Sequence, residues 1–96
     1  PNFTAVTGTI PTSLGNDLNI YTVPTGKSIS NDKIFVVGLW VESPAGTWVD
    51  FNSAYFASQW VAVEMFTRGP TILLFQTSAP PAGWTRNFKM HILEFP

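Results

Sequence analysis

His91 is the sole histidine of this 96-residue chain, so a general base or a nitrogen ligand must use it or do without. It stands between Met90 and Ile92 in an alternating stretch, a setting that predicts a solvent-facing or interface side chain and not a proton shuttle. The six carboxylates are dispersed as Asp17, Asp32, Glu42, Asp50, Glu64 and Glu94. None shows the i, i+2, i+4 clustering of a calcium loop. Asn16, Asp17, Asn31 and Asp32 could converge from two loops, but such residues ordinarily serve turns, so no metal site is expected. Glu42, Asp50 and Glu64 lie in or beside apolar strands. A pair of them about 5 to 9.5 Å apart would have glycosidase geometry, whereas isolated strand charges more often discourage wrong sheet pairing. There is no Gly-x-Ser-x-Gly elbow and no phosphate-cradling glycine loop. The chain therefore reads as non-enzymatic, with no catalytic residue, no metal and no cofactor.

Recognition chemistry, by contrast, is abundant in aromatic form. Trp40 falls inside a long apolar run and is assigned to the core. Trp48, Trp60 and Trp84 lie near turns or opposite an apolar stripe, where an indole can stack on a sugar ring or fill a partner's pocket. Trp84, just after a proline loop, leads as a contact residue, with Tyr55 and Trp48 next. Subunit packing ranks above glycan stacking for these residues, because interface cores are enriched in aromatics. Asn2-Phe3-Thr4 also matches the short N-glycosylation pattern.

These side chains must be positioned by a small single domain, residues 1–96, with no composition shift to divide it. Four Trp, two Tyr and eight Phe are more bulky rings than a thin two-layered domain of this size can hide. With only 11% charged residues, the surplus is expected to face a neighbouring copy. The formal net charge of −1, with five scattered Lys and Arg residues, argues against a nucleic-acid partner, since neutralising several phosphates takes a cluster of cations. The absence of cysteine leaves the core without a covalent staple. No apolar run approaches about 18 residues and no basic stretch followed by an apolar one opens the chain, so neither membrane insertion nor a signal peptide is expected. Pro1 fits either a removed initiator Met or the edge of a longer parent chain.

The elements are β-strands throughout. Residues 59–76, QWVAVEMFTRGPTILLFQ, read as two strands joined at Arg68-Gly69-Pro70, where glycine takes a positive φ and proline withholds a ladder donor. NFTAVTGTI forms a first strand with Gly8 as a bulge candidate, and Leu14-Gly15-Asn16-Asp17 turns into a second strand, LNIYTV, closed by Pro24-Thr25-Gly26-Lys27. Residues 28–32 form a loop. KIFVVGLWVE is almost continuously apolar and reads as a central strand covered on both faces. Its return strand is TWVDF, through a Pro-Ala-Gly bend. Residues 52–58 are either one helical turn or an irregular connection, and TSAPPAG is a loop. In the terminal strand Phe88, Met90 and Ile92 alternate with Lys89, His91 and Leu93. Seven to eight short strands with turn chemistry between them and no amphipathic helix predict an all-β, antiparallel β-sandwich of jelly-roll type.

LNIYTVPTG, VVGLWVES, SQWVAVEMF and FKMHILEF together resemble the small all-β domains of bacteriophage tail fibres, baseplates and other virion appendages. The resemblance is one of pattern across most of the chain. It implies a virion structural or attachment domain, located on the virion or otherwise extracellular, that forms a homo-oligomer, with a trimer favoured. The implied partners are other virion proteins and a host-surface glycan or protein. The alternative expectation is a carbohydrate-binding, lectin-like module that uses exposed Trp and Tyr.

Overall fold

Turn chemistry divides the chain where the sequence predicts. Among the described residues every one with positive φ is a glycine, and Gly69 takes +57°, the sign that a type II′ turn requires at its first central position, while Pro70 supplies the fixed negative φ of the second. Arg68 and Thr71 pair across this two-residue bend. At the Pro-Ala-Gly bend the Ser43 amide donates to the Thr47 carbonyl at 2.8 Å and the Gly46 amide to the Ser43 carbonyl at 2.9 Å. The two hydroxyls are joined at 2.7 Å, and Gly46 adopts +79°. That is a three-residue hairpin loop ending in a left-handed glycine.

The computed structural model describes residues 1–29, 32–51, 63–76 and 78–96, and for residues 63–65 the backbone alone. Among these the strands are β1 (Asn2–Thr9), β2 (Asp17–Thr22), β3 (Ile34–Glu42), β4 (Trp48–Asp50), β5 (Val63–Arg68), β6 (Thr71–Gln76) and β7 (Asn87–Glu94). They form two antiparallel sheets, ordered β1-β7-β3-β4 and β2-β6-β5. No helix occurs among the described residues. The expectations for residues 52–58 and for the side-chain alternation over 60–65 lie outside the described residues.

One core cluster draws on both sheets. Ile34, Leu39 and Val41 of β3 and Phe88, Met90 and Ile92 of β7 meet Leu18 of β2 and Ile72 and Leu74 of β6. β7 keeps the alternation read from its sequence, with those three side chains buried and Lys89, His91 and Leu93 turned the other way. β3 departs from expectation in two respects. It lies inside its sheet, but only one of its faces is covered, and Phe35 and Val37 remain 48% and 55% exposed. It also carries a bulge between Val36 and Gly38, and an extra residue reverses which face the following side chains occupy. Trp40, assigned to the core for its place inside the apolar run, accordingly stands on the face opposite Leu39 and Val41 and is only half-buried.

At one end of the molecule the fully buried Gln76 closes the space between the β1–β2 connection and the approach to β7. Its Nε2 donates to the carbonyls of Pro11 at 3.2 Å and Ser13 at 3.3 Å. Its Oε1 accepts from Arg86 Nη1 at 3.1 Å, and Arg86 also donates to Pro11. The Ile10 amide donates to the Arg86 carbonyl at 2.7 Å. A buried amide with both ends engaged avoids the desolvation penalty of an unpaired polar group.

Candidate functional site

Among the described residues, the outer face of the four-stranded sheet gathers the exposed rings Phe3, Phe35 and Trp48 together with the half-buried Trp40 and His91. Side chains on a given face repeat every second residue, and partners across strands stand about 5 Å apart, so the register arranges this face in transverse rows. Thr9 opposes Asn87 on β7 and Glu42 opposes Trp48 on β4, with Asn87 Nδ2 bridging to Glu42 Oε1 at 3.1 Å. The next row is Thr7, Lys89, Trp40 and Asp50. Ala5, His91 and Gly38 follow, and then Phe3, Leu93 and Phe35. The face is thus polar and charged at one end and apolar at the other.

Ring contacts run along it without a break. Phe3 meets His91 at 4.9 Å between centroids, and His91 meets Trp40 at 4.6 Å, both edge to face. Lys89 Nζ sits 4.9 Å from the Trp40 ring and 5.1 Å from the Trp48 ring, within the range of cation–π attraction to both. Phe35 adds an edge contact to Phe95 at 5.9 Å. The Trp40 indole lies across Gly38. A Cβ on Gly38 would fall 2.1 Å from Trp40 Cη2, so only glycine leaves room for the ring to lie flat. Gly38→Ala is expected to swing this half-exposed indole off the sheet and leave the fold in place. The checks are a shift of tryptophan emission to longer wavelength and a loss of about 1 kcal/mol in chemical denaturation.

Beside the first row the surface sinks into a cleft of about 290 Å³ that includes Thr7, Thr9, Glu42, Trp48 and Asn87. The Gly8 and Phe88 pair between the first two rows turns inward, where a Cβ on Gly8 would meet the Phe88 ring at 2.9 Å. Backbone therefore floors the cleft. Glu42 is held in position: Thr85 Oγ1 donates to its Oε1 at 3.3 Å alongside Asn87, and Asn87 Oδ1 in turn accepts from Thr9 Oγ1 at 3.2 Å.

Of the residues singled out by sequence, Trp48 lies in this site and is 38% exposed. Trp84 does not: it is half-buried and packs against the core cluster, following a turn in which its amide donates to the Pro81 carbonyl at 3.2 Å. Tyr55 and Trp60 lie outside the described residues. Of the carboxylates weighed as a hydrolytic pair, Glu42 and Asp50 stand diagonally in adjacent rows of this face, and the Glu64 side chain lies outside the described set. Asp32, Asn16 and Asp17, weighed as metal ligands, have local duties, and Asn31 lies outside the described residues. Asp32 Oδ1 accepts from the Lys33 amide at 3.1 Å, Asn16 donates to the Leu14 carbonyl at 3.3 Å, and Asp17 pairs with Arg68 at 3.6 Å. Trp40, Lys89, Phe3, Asn87 and Thr9 join the face only through strand register, which no single stretch of sequence displays. Comparison with protein-family models, with curated proteins and with solved structures finds no match for this chain.

Proposed function

We propose that this chain is a self-associating attachment domain, a jelly-roll-like β-sandwich that covers the apolar end of its outer sheet face with like copies. The carrying observation is placement. Of the large apolar side chains exposed among the described residues, Phe3, Phe35, Val37 and Trp48 all belong to the four-stranded sheet, and Leu14 alone does not. Phe3, Phe35 and Val37, gathered at one end of this face with Leu93 beside them, form the kind of exposed apolar cluster that usually marks an interface. Among the described rings only Phe51 and Phe88 are buried, which supports the expectation that one copy does not conceal its aromatics. The jelly-roll reading is supported by nested pairing, β1 with β7 and β2 with β6, as in doubly wound Greek-key sheets. A closed ring of three copies on a virion appendage is the form implied by the resemblance of its strand sequences to tail-fibre and baseplate domains.

Light scattering on the purified chain tests this reading. The expected mass is a multiple of the 10.6 kDa chain, and three copies would match the implied symmetry. Replacing Phe3 and Phe35 together with serine is expected to give a folded monomer. A wild-type chain that stays monomeric at high micromolar concentration would refute the proposal.

A further inference from the structure

The polar end of the same face has a different chemistry, and it does not depend on self-association. Glu42 sits on a strand beside an exposed indole, and two neutral donors fix one of its oxygens. Its Oε2 has no hydrogen-bond partner, and its carboxylate no ion pair, among the described residues; the ion pairs there are Lys27 with Glu94 and Arg68 with Asp17. A carboxylate serving solubility alone gains nothing from a relay of Thr9, Asn87 and Thr85 that orients it. An oriented acceptor facing a cleft beside an aromatic plane has the form of a recognition site, in which a few placed polar groups fix a ligand against an apolar surface.

Charge narrows the ligand class. An anion would meet the Glu42 carboxylate. A cation would be repelled by the Lys89 ammonium, whose Nζ lies 4.9 Å from the Trp40 ring and 5.1 Å from the Trp48 ring. A purely apolar group would strand the Thr7 hydroxyl and the free oxygen of Glu42 without water. What remains is a neutral molecule with one apolar face and several hydroxyls. The cleft of about 290 Å³ is at the lower bound of roughly 300 Å³ for small-molecule sites, which suits a single ring. We infer that this cleft binds one pyranose unit of a neutral saccharide, with the apolar face of the sugar on the Trp48 indole and two adjacent hydroxyls donating to Glu42. Thr9 and Asn87 hold the carboxylate and are positioning residues.

Saturation-transfer NMR on the full chain with the methyl glycosides of glucose, galactose, mannose and N-acetylglucosamine tests the inference. Transfer to the ring protons of at least one glycoside is expected. Trp48→Ala is expected to abolish it. Glu42→Gln, which keeps the shape and the acceptor for Thr85 and Asn87, is expected to weaken binding about tenfold through loss of the charge-assisted bonds. The Phe3 and Phe35 serine variant should bind as wild type does. Binding that persists in a monomeric protein upholds this site even where self-association fails. No transfer from any of the four glycosides overturns the inference, as does transfer that survives both Trp48→Ala and Glu42→Gln in folded protein.

Discussion

Gln76→Leu is expected to lower the free energy of unfolding by about 3 kcal/mol, close to 1 kcal/mol for each of the three side-chain hydrogen bonds it removes. Leucine nearly matches the volume, so the loss reports polar satisfaction and not a cavity. The Ser13 carbonyl loses its side-chain donor, while the Pro11 carbonyl and the Arg86 guanidinium keep each other. A chain of this length has about 5 to 14 kcal/mol of stability in all, so this one amide accounts for a large part of it. Urea denaturation of both proteins gives the difference directly, with an unchanged slope showing that the unfolded state is unaffected. A loss under 1 kcal/mol would mean that water replaces the amide at low cost.

Phe88→Ala is expected to cost more, about 3 to 5 kcal/mol, the range for truncating a buried phenylalanine. Phe88 is 3% exposed and its ring covers Gly8 across the β1–β7 pair. That contact supplies a sharper test. Gly8→Ala alone should cost about 1 to 3 kcal/mol, because its methyl group would enter the ring at 2.9 Å and a core ring has little room to move. In the Phe88→Ala background the same methyl group occupies vacated space. The two losses should therefore sum to more than the double variant shows, and strict additivity would contradict the packing described here.

The sequence carried the turns and much of the strand pattern. Gly69-Pro70, the Pro-Ala-Gly bend and the Phe88, Met90, Ile92 alternation rest on local chemistry, and local chemistry is visible in a single stretch. The face of Trp40 was not readable, because parity counted from Ile34 is reversed by the bulge before Gly38. An almost unbroken apolar run on β3 also does not say whether the second face is covered by the same chain. Trp48 was recognised as accessible from its place beside a turn. Its neighbours Glu42, Asn87 and Thr9 come from three strands far apart in sequence, and only the pairing register brings them into one row. Trp84 packs half-buried against the core although it follows a proline loop, since a residue after a loop can still turn its ring inward.

The pairing of the first strand with the last has a practical consequence. Asn2 stands opposite Glu94, and Thr9 opposite Asn87, so both chain ends emerge together and the cleft lies at the other end of those strands, roughly 24 Å away at about 3.4 Å per residue. A fusion or surface linkage made through either end would hold the domain like a lollipop by its stick. Trp48 and Glu42 would point outward, and the phenylalanines would crowd near the handle.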